Sequence, residues 1–320
     1  MTQTNQQEKA SLNDEVANSD EAGNPRVAAG NFSLTDGLLL VCVLIWALNS
    51  PLVKIILREI APLAVSQFRV TIAALISLVV LLIREKSVRI AWRHLPLLCL
   101  AAVMGITINQ ITFIYALNNT SASEVSLLYA ASPVFATLLA ALIYREKIKR
   151  SYFIGLPVAL AGVALIILTA PNVSLEGNLL GNLLAVGMAF SWAAYTVLLR
   201  PLLTLYSPLR LSMYCFAIGS LLLLPFSFSQ VTATWNSPVS LEAWSLLLGS
   251  TVFAMVITNI IWYNGVKRLG VSRTAYYSYL QPFFGVIAAA ILLSEIVVSW
   301  QIVGGIMVIG SLLIYRLSSK

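Results

Sequence analysis

Charge is what this sequence is short of. Only 10% of its 320 residues are Asp, Glu, Lys or Arg, against about a quarter in an ordinary soluble domain. By contrast 59% are apolar and the mean hydropathy is +0.86. Too few polar side chains exist to cover a surface facing water, which excludes a soluble globular domain. Histidine occurs once, as His94, in a basic stretch between apolar runs, and no two acids share the interior of one run. That excludes the metal clusters and acid–base pairs on which a membrane-embedded enzyme would draw, and no cofactor is implied. The three cysteines, Cys42, Cys99 and Cys215, lie singly inside apolar runs without ligand spacing and read as small core residues. There is no glycine-rich phosphate loop, so ATP-driven pumping on this chain is not expected. Alternating strands of the outer-membrane barrel kind are missing too. The net charge of +7 comes from basic residues scattered between apolar runs, which is not the footprint of a nucleic-acid partner. Residues 1–32 lack the basic start and apolar stretch of a signal peptide. They are polar, and a disordered cytoplasmic tail is expected there.

What is present is apolar length. A lipid core about 30 Å thick takes roughly 20 apolar residues per helix, and ten runs of that order come after the tail. They lie at about 36–57, 63–83, 95–117, 124–144, 151–170, 178–199, 209–229, 242–265, 273–293 and 298–316. Lys and Arg are retained on the cytoplasmic side of a membrane. With the N-terminus inside, seventeen of the twenty Lys and Arg residues fall in inner segments, and only Lys54, Arg58 and Arg69 lie at or near the outer side. The expectation is an all-α integral membrane protein of the cell membrane with ten transmembrane helices and both termini cytoplasmic.

The chain also repeats itself. Ser123–Ile166 aligns without a gap on Ser272–Tyr315 at a constant spacing of 149 residues, which pairs Pro133 with Pro282, Glu146 with Glu295 and Gly155 with Gly304. Five spans separate each element from its mate, so the second copy is inverted in the membrane. The expected organisation is a first five-helix repeat over 33–172 and a second, inverted one over 173–320. Interrupted helices at matching places of two inverted repeats point to a transporter with its binding site between the halves.

Polar and aromatic side chains inside spans are expensive and mark a path or a packing contact. Trp46 and Asn49 share one face with Ser50; Asn109 and Gln110 lie in the third run; Thr258, Asn259 and Trp262 follow helical spacing in the eighth. Gln110 and Asn259 are 149 residues apart. Trp192 and Tyr195 match Trp46 and Asn49 by topology. Tyr276, Tyr279 and Gln281 on the ninth run, with Tyr129 and Ser132 on the fourth, complete the candidate cavity lining. Each of these also fits a helix-to-helix hydrogen bond or an interfacial aromatic. Pro51, Pro133 and Pro282 are expected to kink their spans and free the carbonyls of Ala47, Tyr129 and Ser278. Arg69 and Glu124 are candidates for gating or coupling, with a solvated helix end as the alternative; Glu146 and Glu295 are expected to cap helices or bond loops.

The duplicated Pro-Val-Phe or Pro-Phe-Phe, the glutamate after it and the glycine-rich span (Pro133, Glu146, Gly155 and Gly162; Pro282, Glu295, Gly304 and Gly310) resemble the EamA branch of the drug/metabolite transporter superfamily. The opening Trp46-Ala-Leu-Asn49-Ser-Pro51 and Arg69 are similar to it as well, with Ala47 where glycine is common. The resemblance implies export or exchange of small metabolites, often amino acids, through a central cavity. The nearly uncharged lining predicts a neutral or zwitterionic small-molecule substrate. A nucleotide-sugar or organic-anion carrier of the same fold is the alternative, and a non-transporting scaffold is another. The lipid bilayer is the first partner, a proton or counter-solute the expected coupling partner, and the protein is a monomer or a homodimer.

Overall fold

A bilayer offers a backbone nothing to bond with, so long runs of leucine, isoleucine, valine and alanine fold into helices that satisfy their own N–H and C=O groups. The computed structural model describes residues 33–317 except 86, 145–156, 159, 163, 167, 170–177 and 279. At 178, 266, 267, 269–273, 275, 276 and 311–317 it describes the backbone alone. Every regular element among the described residues is helical. Seven helices are long and apolar enough to cross a membrane, and two shorter apolar helices lie near the C-terminus.

The chain divides into an N-terminal unit ending at Gly37 and a main body from Leu38 on. Within the former, Ser33 and Asp36 cap reciprocally: the Ser33 N–H donates to the Asp36 carboxylate at 2.8 Å and the Asp36 N–H to Ser33 Oγ at 3.3 Å. That start signal opens α1 (Leu34–Ile56). Then come α2 (Pro62–Arg84), α3 (Leu95–Ala102), a π-helical segment Val103–Ile108, α4 (Asn109–Asn119), α5 (Ala122–Tyr129) and α6 (Ser132–Tyr144). After them lie α7 (Asn178–Leu203), α8 (Pro208–Trp235), α9 (Leu241–Thr251), a second π segment Val252–Ile257, α10 (Thr258–Ser278), α11 (Leu280–Leu293) and α12 (Ser299–Leu317). Ser121, Ser207 and Ser240 each open a helix by accepting an N–H three residues on, at 3.0–3.2 Å.

Several expectations are corrected. Pro133 does not kink a continuous helix. The fourth span is cut after Tyr129, and Pro133 is the second residue of a new helix; Pro282 lies three residues past Tyr279, which is outside the described residues and separates α10 from α11. In a first turn the missing N–H has no intrahelical partner to lose, so proline starts a helix there. Pro51 does lie inside α1. The loop predicted near 266–272 is helical: α10 runs through it. Its counterpart in the first half, Thr120-Ser121, turns because Ser121 caps the next helix; Leu269 and Gly270, 149 residues on, carry no capping oxygen. The run predicted over 151–170 is described only in part, and Glu146, Gly155 and Tyr279 lie outside the described residues.

The helices approach closely where side chains are small. α2 lies along α8, joined by a buried polar ladder. Gln67 Nε2 donates to Thr71 Oγ1 at 2.9 Å and to Ser220 Oγ at 3.0 Å, and Ser227 Oγ donates to Gln67 Oε1 at 2.9 Å. The Thr71 and Ser220 hydroxyls, themselves 149 residues apart, meet at 2.7 Å. The first π segment sits between α7 and α8. A Cβ on Gly105 would fall 2.1 Å from Tyr195 Cγ, and one on Gly219 2.3 Å from Ile106 Cγ2. Elsewhere a Cβ on Gly162 would fall 2.6 Å from the Gly304 carbonyl oxygen.

Gly219→Ala should therefore destabilise the protein by about 1–3 kcal/mol through overpacking. Gly249→Ala, where nothing lies within 4 Å of the added carbon, should be neutral or slightly stabilising. Thermal unfolding of both variants in detergent checks this, and equal midpoints would contradict the tight α8 contact.

Candidate functional site

The π segments Val103–Ile108 and Val252–Ile257 are 149 residues apart, one in each half of the duplication. A π turn inserts a residue into the helical register and re-aims the side chains beyond it, and such turns gather at functional sites. Immediately beyond the two segments stand Asn109 and Gln110 in one half, Thr258 and Asn259 in the other. The Asn109 and Thr258 N–H groups bond back to Met104 and Phe253, five residues earlier.

Between these segments lies a cavity of about 100 Å³. α1 supplies Trp46, Asn49 and Ser50 to its wall, and α2 supplies Arg69. The third span gives Asn109, Gln110 and Phe113, and α5 gives Ser126 and Tyr129. α7 contributes Met188, Trp192 and Tyr195; Asn259 and Gln281 close the ring. Ligand pockets usually hold about 300 Å³ or more, so this conformation fits a solute of a few heavy atoms, and a larger one requires the helices to part.

Arg69 is the eighth residue of α2, roughly 10 Å along its axis. It is no solvated helix end: its relative exposure is 1%. Nη2 donates to Asn49 Oδ1 at 2.9 Å, and the guanidinium carbon lies 5.9 Å from the centroid of the Phe113 ring. Nε and Nη1 have no acceptor among the described residues, and Gln110 Oε1 and Gln281 Oε1 have no donor there. The other amides are engaged. Asn109 Nδ2 donates to the Met188 carbonyl and to Ser191 Oγ, both at 3.0 Å, and Asn259 Nδ2 donates to the Met255 carbonyl at 2.6 Å.

Aromatic rings form the rest of the wall. Trp46 Nε1 donates to the Ala254 carbonyl in the second π segment at 3.0 Å, and its ring packs on Trp192 at 5.8 Å and Trp262 at 5.0 Å between centroids. Trp192 continues to Tyr195 at 5.6 Å. Two expectations are corrected by these contacts. Trp46 lies against Ala254 and Tyr195 against Gly105; both pairs are offset by 149, so Trp46 matches Tyr195, and the pairing with Trp192 three residues earlier fails. Ser132, Thr258 and Trp262 are buried but do not line the cavity. Only the backbone of Tyr276 is described. The lining residues Gly105, Phe113 and Met188 carry no polar group in their side chains, although each stands three or four residues from one that does, and Ser126 turns its hydroxyl to the Ala122 carbonyl.

The two ends of the bundle are tied separately. At one end Lys54 Nζ donates to the Thr120 carbonyl at 2.6 Å and meets Glu295 Oε1 at 3.4 Å. The Glu295 carboxylate accepts the N–H groups of Ala122 and Ser123 at 2.9 and 3.0 Å and the Ser123 hydroxyl at 2.8 Å. A residue of the second half thus caps α5 of the first. Glu124 is buried nearby, accepting from Thr120 Oγ1 and, at 3.0 Å, from Gln301 Nε2. It lines a depression of about 530 Å³ beside Lys54 and Glu295, not the central cavity. Ser240 donates from its N–H and hydroxyl to Glu59, both at 2.8 Å, which holds that exposed carboxyl below its ordinary range. At the other end Arg210 grips Glu85 at 2.6 and 3.1 Å, and Tyr206 Oη lies 2.8 Å from His94 Nδ1.

Interrupted apolar helices around a small buried cavity with polar and aromatic walls define the class: a multi-pass membrane transport protein. Its sequence matches the model of the EamA-like transporter family twice, over residues 33–168 and 179–317, and the chain belongs to that family of transporters, not enzymes. A transporter of Archaeoglobus fulgidus named as uncharacterized is 29% identical, over 90% of this chain and 98% of its own. A "Probable terminal-alkyne amino-acid exporter" of Streptantibioticus cattleyicolor is 27% identical over 87% and 92%. A "Probable amino-acid metabolite efflux pump" of Salmonella typhimurium is 26% identical over 88% and 95%. A crystal structure 17% identical, covering 89% of this chain and 98% of the other, superposes with a TM-score of 0.62 and shares the fold.

Burial pushes the Glu295 carboxyl up, but the Ser123 and Ala122 N–H groups, the Ser123 hydroxyl and Lys54 outweigh it and hold the carboxyl below its ordinary value. Its contribution to stability is therefore fully present above the unfolded carboxyl pKa and is lost as pH falls through the lowered one. Glu295→Gln should cost about 1 kcal/mol at neutral pH, and its difference from wild type should shrink on acidification. Unfolding midpoints against pH check this; a difference constant down to about pH 3 would contradict the role of charge.

Proposed function

We propose that this protein is a secondary transporter that exports or exchanges small neutral or zwitterionic metabolites, such as amino acids, by alternating access between two inverted five-helix halves. The observation that carries this is the cavity itself, whose wall draws on both halves and combines amides, indoles and phenols with a single cation among the described residues. The 149-residue spacing recurs in the π segments and in the Thr71–Ser220 contact, and the family model matches twice along the chain, which supports a duplicated architecture of ten spans. The loops 57–61, 120–121, 236–240 and 294–298 converge at one end, and those around 85–94 and 204–207 at the other, as sequential antiparallel spans require. The basic residues favour the second end as cytoplasmic, with both termini on that side. The named activities of the Streptantibioticus and Salmonella relatives favour amino acids or their derivatives as cargo.

Purified protein in liposomes loaded with a mixture of amino acids should exchange at least one labelled amino acid, and Gln110→Leu with Gln281→Leu should slow that exchange roughly tenfold or more without loss of folded protein. Single cysteines placed at Ser237 and Ser87 in a cysteine-free background should be labelled from outside and only after permeabilisation, respectively. Exchange confined to solutes such as sugar nucleotides, or labelling at both positions from one side, would overturn the proposal.

A further inference from the structure

The geometry points to Arg69 as the residue that binds a carboxylate of the transported solute, with Gln110 and Gln281 accepting from its N–H groups. This rests on the transport function proposed above and narrows it to solutes bearing a carboxylate. Among the described residues Arg69 is the one charged side chain lining the central cavity, and it is 1% exposed. A cation at that depth is stable only with acceptors around it. Asn49 Oδ1 provides one, at 2.9 Å, and the Phe113 ring adds a weak attraction. No ion pair joins Arg69 to a carboxylate among the described residues, and two of its three nitrogens have no acceptor there.

A residue kept for packing would be matched by a neighbour. Glu124, an acid buried in the same half, is instead held by Thr120 and Gln301 beside the outer depression. Among the described residues the cavity therefore carries one positive charge and no negative one. Guanidinium N–H groups bond carboxylates with charge on both sides, the strongest kind of hydrogen bond a side chain forms. Asn49 fixes the guanidinium by one nitrogen and leaves the other two without an acceptor among the described residues, in a side chain that lines the cavity.

The remaining unpaired groups complete the specificity. Gln110 Oε1 and Gln281 Oε1 are buried acceptors without donors among the described residues, on opposite halves of the duplication. They suit the N–H groups of an ammonium or amide, with no acid to demand a full cation. Trp46, Trp192 and Phe113 supply apolar faces for the remainder of the solute. Because the cavity holds about 100 Å³, a carboxylate, a nitrogen and a short side chain nearly fill it. A dianion is disfavoured, since only one cation is there to meet it.

The test is a titration of the purified full-length protein with the twenty common L-amino acids and the carboxamide of each, followed by tryptophan fluorescence, since Trp46 and Trp192 line the cavity. At least one amino acid should bind wild type roughly 10- to 100-fold more tightly than its own carboxamide. Arg69→Met should abolish that ratio and leave carboxamide binding within about twofold, and Arg69→Lys should keep part of it. Without ligand, Arg69→Met should unfold at the same temperature as wild type or higher, because it removes a buried charge with unmatched N–H groups. A lower unfolding temperature together with an unchanged acid-to-amide ratio would assign Arg69 to structure and overturn the proposal. Binding and exchange of carboxamides or other solutes lacking a carboxylate, as tightly as of the acids, would overturn it and leave transport intact. Absence of exchange for every solute in liposomes would overturn both.

Discussion

The constraint on which this molecule depends is that every backbone N–H and C=O inside lipid must be bonded within the chain. A straight helix meets it and offers no site. The protein departs from straight helices in a few places, and each departure has a substitute for the bond it disturbs. The cut after Tyr129 is closed by Ala130 and Ala131 bonding three residues back and by Pro133, which has no N–H to satisfy. The π segments retain i-to-i−5 bonds, and Trp46 takes the Ala254 carbonyl across from another helix. Irregular backbone thus occurs where it adjoins the cavity or a close neighbour.

With the backbone settled, side-chain size decides how closely helices approach. Gly105 lets the Tyr195 ring lie on the first π segment, and Gly219 lets Ile106 enter α8. Such contacts fix where Asn109 and Gln110 stand, because the π turn that aims them is clamped from two sides. The polar ladder of Gln67, Thr71, Ser220 and Ser227 holds α2 against α8 by direct hydrogen bonds, and α2 is also the helix that carries Arg69.

Much of this was legible in the residues. Apolar length gave membrane helices; amides inside apolar runs, Gln110 and Asn259 above all, gave lining residues; and Glu295 behaves as the capping group expected of it. What escaped has physical causes. A π turn depends on backbone register, and Val103–Ile108 has no composition that sets it apart from an α-helix. Proline reads alike in a mid-helix kink and in a first turn; only the break before Ser132 separates them. Arg69 stands near the end of its run in sequence, while its burial is decided by α1 and the third span packing over it. Ser132, Thr258 and Trp262 share helical stripes with lining residues yet point into protein, since a stripe gives a direction on one helix and not the position of its neighbours.

The contact between Thr71 and Ser220 carries a consequence for movement. Two copies of one position can touch each other only on the axis that relates the copies. In the proposed exchange of shapes between the halves, points on that axis map onto themselves. Under the proposed alternating access the hydroxyl pair, 2.7 Å apart, is the pivot about which the halves would swing, and the largest motions would belong to the residues farthest from it, at the two mouths of the pathway.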